Sequence, residues 1–292
     1  DHRDLHSFPT RRSSDLPRAL VSSLAQELGM VCAELFMVPN QPLTFKEEGF
    51  PRKEDAIIAY SWHRYFKTED PTWIARLPMT KSAVKAMDAI SAFCRGIDPK
   101  LDIQKFVVTG RSKRGWTTWT TAAVDRRVVA IIPTVIDMLN IEPSMLHHYQ
   151  AYGYWAPALD DYKKMQIPKH IKDRLWKQLL GIVDPYVYRD RYVMPKLIVN
   201  ACGDQFFLPD SSRFYFKDLQ GEKYLRYMPN VDHSLVGADE GQTILSYLYR
   251  ILHDKPRPDF RWEMQKDGSL LVKTRTTPDI VNLWQEIGRA HV

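Results

Sequence analysis

Lys105 to Trp119 reads KFVVTGRSKRGWTTW, and its opening KFVVT is a β-branched run that stops at Gly110. A strand is expected over 105–109, followed by a helix that reaches about Val124. Strand, Gly-x-Ser turn and helix make a nucleophile elbow, a strained turn that holds a serine hydroxyl at the top of a sheet and at a helix N-terminus. Ser112 is therefore the candidate nucleophile. Small residues are needed around it so that strand and helix can approach. Here they are Gly110 and Gly115, so the second glycine follows the serine by three residues where two is usual. A Gly-x-Ser alone fits a serine capping a helix equally well, so the surrounding chain must decide.

Outward from this stretch, strands and helices alternate, which argues for a mostly parallel sheet with helices on both faces. Helical periodicity runs over 19–28, 54–66, 81–94 and 241–253. Short apolar runs at 31–38, 128–135, 196–200 and 223–228 are read as strands, the first ended by Pro39-Asn40. Between about Met138 and Met194 the pattern is aromatic, polar and helix-rich, as in a cap inserted over the C-terminal edge of the sheet. The domain is expected to run to about residue 254. Beyond Pro256, RWEMQ and LLVKT flank the turn Lys266-Asp267-Gly268-Ser269, a hairpin that opens a small β appendage.

The order of candidate catalytic residues fits this architecture. In an α/β-hydrolase the triad runs Ser, acid, His along the chain. Asp204 follows the strand KLIVNACG, and His233 follows KYLRYM and the loop Pro229–Asp232. His233 is expected to take the Ser112 proton, with Asp204 fixing its tautomer and stabilising the imidazolium. Asp210, later in the same loop, and Asp137, after the preceding strand, are rival acids. The backbone N–H of Lys113 is the expected oxyanion donor; a second would come from a loop before Pro17.

Arg111, Lys113 and Arg114 crowd the start of a helix, where the macrodipole disfavours cations. Two readings stand: recognition of an anionic substrate, or pairing with acidic neighbours. Arg111, Arg114, His148 and Trp155 are accordingly candidate substrate-binding residues. The pair Trp116 and Trp119 reads as core.

Composition narrows the class. The chain of 292 residues is 44% hydrophobic and 12% aromatic, with a formal net charge of +6. That suits a globular domain with a large core. No dense Lys/Arg stripe points to nucleic acid, and no apolar run is long enough to span a bilayer. Cys32, Cys94 and Cys202 have no CxxC spacing, so neither a disulfide framework nor a zinc site is expected, and no cofactor is implied.

The termini differ in kind. Residues 1–16 (DHRDLHSFPTRRSSDL) match, when back-translated, a common short-read sequencing adapter, and residues 286–292 (EIGRAHV) match the opposite one. Both are read as foreign tails. Pro17 to about Gln285 is then natural sequence, with the first strands and any signal peptide lying upstream.

GRSKRGWTTW, TAAVDRRV, IDMLN, DPYVYRDR and GDQFFLPDS, with VPNQPLTF, RLPMTKSAVKAMD and the segment around His233, resemble the PhoPQ-activated pathogenicity-related protein family. The resemblance implies an α/β-hydrolase-like fold with a C-terminal β appendage and the serine of GxSKRGW as nucleophile. It also implies a secreted or periplasmic protein linked to virulence and antimicrobial-peptide resistance. Arg111 departs from the family, where a smaller residue is usual. The Gly-x-Ser-x-x-Gly spacing is also similar to glucuronoyl esterases. The function expected is ester or amide hydrolysis of a small-molecule, carbohydrate or peptide substrate. The alternatives are a non-catalytic binding or signalling protein on the same scaffold, and a carbohydrate esterase of the glucuronoyl type.

Overall fold

The computed structural model describes residues 20–282. Residues 20–28 form helix α1. A two-residue antiparallel pair follows, β1 (Leu43–Thr44) and β2 (Pro51–Arg52), then helices α2 (Glu54–Thr68) and α3 (Arg76–Ile97). The central elements are β3 (Phe106–Arg111), α4 (Lys113–Val124) and β4 (Val128–Thr134). Helices α5 (Ile141–Tyr152), α6 (Asp160–Lys164) and α7 (Arg174–Val183) occupy the segment expected as a cap, separated by short 3-10 turns. Then come β5 (Lys196–Ala201), β6 (Lys223–Met228), α8 (Glu240–Leu252), β7 (Phe260–Met264) and β8 (Leu270–Thr274).

Strands β3, β4, β5 and β6 lie in that order in one parallel sheet. Every residue of β5 is buried, as are six of the seven in β4. That is why these strands read as unbroken apolar runs rather than alternating ones. Ile131 and Ile198 are fully inaccessible, and each contributes about 1.5–3 kcal/mol by leaving water. The fold class is α/β, with the parallel sheet flanked by helices.

Residues 31–38 correct one expectation, because they form no strand. Val31, Leu35, Phe36 and Met37 are exposed, and Met37 adopts φ 57°. Apolar composition calls for burial, but a strand also needs a ladder partner for its N–H and C=O groups. Among the described residues the sheet ends at β3 on one side and β6 on the other.

The chain clusters into two compact units, divided after Glu240. The break precedes the change in sequence character at Pro256. The second unit carries an antiparallel hairpin of β7 and β8, paired from Phe260–Thr274 to Met264–Leu270. Its turn has Gly268 at φ +85° and a Ser269 N–H donated to Asp267 Oδ1 at 2.9 Å.

Candidate active site

Ser112 sits between β3 and α4 with φ 54° and ψ −126°. A non-glycine residue held there stores about 1–3 kcal/mol of strain. Two hydrogen bonds impose it: Ser112 N–H donates to Thr134 O at 2.8 Å, and Trp116 N–H donates to Ser112 O at 2.9 Å. The unusual glycine spacing has a geometric cause. A Cβ on Gly110 would stand 2.6 Å from Arg114 O, and one on Gly115 would stand 2.8 Å from Gly110 O and 2.9 Å from Ile136 Cγ2. The first turn of α4 therefore rests directly on the end of β3 and against β4, and Gly115 is the residue at that crossing. Arg114, which occupies the usual glycine position, turns outward to Glu54.

Asp204 and His233 meet. His233 Nδ1 lies 2.7 Å from Asp204 Oδ2, while Asp204 Oδ1 accepts N–H bonds from Phe206 at 2.8 Å and Phe207 at 3.3 Å. The loops after β5 and β6 are fastened together to make this contact. Cys202 N–H donates to Met228 O, and Gly203 N–H donates to Val231 O, both at 3.0 Å. His233 N–H reaches Gln205 Oε1 at 3.0 Å. A carboxylate only accepts, so Nδ1 carries a proton, and in the neutral ring Nε2 keeps its lone pair. The His233 ring lies on Phe206, with centroids 4.4 Å apart.

Ser112, Phe206 and Phe207 line the same cavity. Ser112 Oγ makes no hydrogen bond among the described residues. A serine–histidine contact commonly tightens only when substrate is bound. The Lys113 N–H begins α4, where the first amides have no acceptor within the helix.

The rival acids are placed elsewhere. Asp137 is buried and accepts hydroxyl bonds from Tyr215 at 2.6 Å and from Tyr227. Burial pushes its carboxyl up to about 7, against the lowering effect of the two tyrosines. Asp210 is exposed to solvent and pairs with His147 at 2.9 Å and with Arg213 at 3.3 Å.

The three cations beside Ser112 all have carboxylate partners. Arg111 pairs with the buried Glu240. Lys113 Nζ lies 2.8 Å from Glu54 and 3.0 Å from Asp55, and Arg114 lies 2.9 Å from Glu54. Burial alone would raise Glu54, but the Arg114 hydrogen bond and the Lys113 charge outweigh it and hold the carboxyl at about 2. Arg111 and Arg114 are thus engaged within the protein. His148 is buried, with Nε2 accepting the Ala156 N–H at 3.2 Å and its ring stacked on Trp155. Trp155 itself lines the cavity; Trp116 does so as well as packing in the core.

The cavity wall is chiefly aromatic and aliphatic, with Trp62, Trp116, Trp176 and Tyr162 prominent. Sequence reasoning passed over Arg76 and Asp55, which also line it. Arg76 opens the family segment RLPMTKSAVKAMD, but nothing in that segment assigns it a role; only the fold brings α2, α3 and α4 together around Ser112. Phe206 and Phe207, in the loop after β5, were likewise missed. Among the described residues Cys32, Cys94 and Cys202 form no disulfide, and no group of three His, Cys, Asp or Glu is placed to hold a metal. No described helix is long and apolar enough to cross a membrane.

Comparison with known proteins places these features. The sequence profile of the PhoPQ-activated pathogenicity-related protein family matches residues 4–290. That span takes in most of both terminal segments read above as foreign, which lie outside the described residues. Autocrine proliferation repressor protein A of Dictyostelium discoideum is 42% identical over 241 residues, covering 81% of this chain and 48% of that protein. An acetyl xylan esterase from Paenibacillus sp. R4 superposes with a TM-score of 0.50 at 16% identity, covering 62% of this chain and 54% of the esterase. The chain thus spans about half the length of these relatives. The esterase likeness speaks to fold, that of an α/β hydrolase.

Proposed function

The chain belongs to the PhoPQ-activated pathogenicity-related protein family, and on that premise we propose that it is a serine hydrolase cleaving an ester or amide. One observation carries the reading. A strained Ser112 opens on a cavity whose wall, at Phe206, supports a histidine already paired with a buried aspartate. His233 Nε2 takes the Ser112 proton as Oγ attacks the carbonyl carbon. The oxyanion forms beside the Lys113 N–H and the positive end of α4. On collapse, the alcohol or amine leaves with the proton from His233. Water, deprotonated by the same ring, then releases the acid and restores Ser112.

The lining of the cavity favours a substrate whose bound portion is largely apolar. A small molecule, a carbohydrate ester or a peptide fits the proposal, as does a secreted or periplasmic setting in keeping with the family's association with pathogenicity. The test is hydrolysis of 4-nitrophenyl butyrate and of a uronate ester by the wild type and by Ser112→Ala. Turnover lost in the variant supports the reading, and preference for the uronate would assign the glucuronoyl type. Turnover equal in both proteins rejects it.

A second reading, a binding or signalling protein on a hydrolase scaffold, is favoured by one observation: Ser112 Oγ has no hydrogen bond to His233 among the described residues. The relative from Dictyostelium is named for repressing proliferation. Biological activity retained in full by Ser112→Ala would select this reading.

A further inference from the structure

Among the described residues, Arg76 at the start of α3 is a cation beside the cavity that makes no ion pair. It is 3% exposed, lines the cavity with Ser112, and has no carboxylate within ion-pair distance among the described residues. Its guanidinium lies 3.9 Å over the Trp116 ring, and one Nη donates to Lys113 O at 2.6 Å. Its Nε is buried without a hydrogen-bond partner.

A buried charge is costly unless paired and hydrogen-bonded, and an arginine has five donors to satisfy. The nearby carboxylates are engaged elsewhere. Glu54 holds Lys113 and Arg114, while Asp55 holds Lys113 and accepts the Tyr162 hydroxyl at 3.0 Å. Arg76 is a third cation facing those two anions: it feels the Asp55 charge and the Tyr162 hydroxyl, but among the described residues no carboxylate lies at ion-pair distance from it. Burial lowers the guanidinium to about 10, outweighing the raising effect of Tyr162 and Asp55. A packing role alone would be met by an uncharged side chain of similar length, without that penalty. Trp62, Trp116 and Trp176 around it offer apolar surface for the rest of a ligand.

We propose that Arg76 is a specificity-determining residue that recognises a carboxylate on an otherwise apolar substrate or product held in the Ser112 cavity. Arginine suits that task because its planar fork matches a carboxylate and stacks on an aromatic face. The inference rests on the reading of this cavity as the substrate site. It does not require turnover, so binding can be measured in the Ser112→Ala protein.

Four tryptophans line the cavity, Trp62, Trp116, Trp155 and Trp176, so their fluorescence reports occupancy. Octanoate and octanamide are titrated into the 292-residue Ser112→Ala chain, and then into the same chain carrying Arg76→Met or Arg76→Lys. Near-ultraviolet circular dichroism checks each fold. The expected result is binding of octanoate about tenfold tighter than octanamide. Arg76→Met removes that preference and Arg76→Lys keeps part of it. Equal affinity for acid and amide, no saturable binding of either, or a preference that survives in folded Arg76→Met overturns the proposal. If Arg76→Met unfolds, the acid-to-amide ratio of the Arg76 protein and its partial retention in Arg76→Lys decide. Failure of the hydrolase reading shows separately, as a wild-type protein that binds octanoate yet turns over no ester.

Discussion

His233 Nδ1 and Asp204 Oδ2 lie 2.7 Å apart, although the two residues are 29 positions apart in the chain. The contact closes because the loops after β5 and β6 are fastened by two backbone hydrogen bonds. It also separates Asp204 from its rivals, since Asp137 is held by two tyrosines and Asp210 by His147 and Arg213.

Asp204→Asn is therefore expected to lower kcat by up to ~10⁴-fold, because the imidazole loses the partner that fixes its tautomer. Asp210→Asn should leave kcat within about threefold of wild type, as expected of an exposed pair. Steady-state kinetics on a 4-nitrophenyl ester distinguishes them. Comparable losses in the two variants would remove Asp204 from the role.

Gly115→Ala should destabilise the protein, against the helix-propensity trend. Gly115 lies within α4, where alanine ordinarily gains about 1 kcal/mol. The new Cβ would stand 2.8 Å from Gly110 O and 2.9 Å from Ile136 Cγ2, and overpacking of this kind costs about 1–3 kcal/mol. A fall in the urea midpoint with loss of esterase activity is the expected outcome. A raised midpoint would contradict the tight crossing of α4 on β3.

Asp137 makes stability depend on pH. Burial raises its folded carboxyl to about 7 from the ordinary value of about 3.8, so the native state binds the proton more tightly than the unfolded chain. Stability from this group is then complete below about pH 4 and falls as pH rises towards 7. Asp137→Asn removes the titration. Relative to wild type it should gain about 2–3 kcal/mol between pH 5 and pH 8, to order of magnitude. Urea unfolding of both proteins at the two pH values measures the difference. No change with pH would mean that Asp137 is ionised throughout.

Glu54 acts with the opposite sign. Its carboxyl is lowered to about 2 by Arg114 and Lys113 against the effect of burial. Its contribution is present above the unfolded value of about 4.5 and is lost as pH falls towards 2. Glu54→Gln should cost about 1–3 kcal/mol at pH 7 by leaving Lys113 and Arg114 short of a partner. That cost should shrink at pH 3, as read from the same unfolding experiment.

Local pattern was enough for the elements that carry the site. The run KFVVT followed by Gly110, Ser112 and Gly115 set β3, the elbow and α4, and the buried strands β4 and β5 stood out as apolar runs. The spacing of Asp204 and His233 after their strands anticipated a contact that depends on neighbouring strand ends. The segment 31–38 misled, because apolar composition does not supply a ladder partner. The basic cluster at 111–114 left two readings open, since its carboxylates, Glu54, Asp55 and Glu240, are remote in sequence. Arg76 lies in a segment that resembles the family, yet its role was not legible for the same reason. Its meaning comes from Trp116 beneath it and from the absence of a carboxylate at ion-pair distance among the described residues, which only the assembled helices define.

The central claim is that Ser112 is an activated nucleophile. The most direct measurement is reaction of the folded protein with a fluorophosphonate probe, followed by peptide mass spectrometry. The account predicts one covalent adduct, on Ser112, absent in Ser112→Ala and greatly slowed in His233→Ala. A folded wild-type protein that takes up no probe, or a Ser112→Ala variant labelled as fast as wild type, would contradict it.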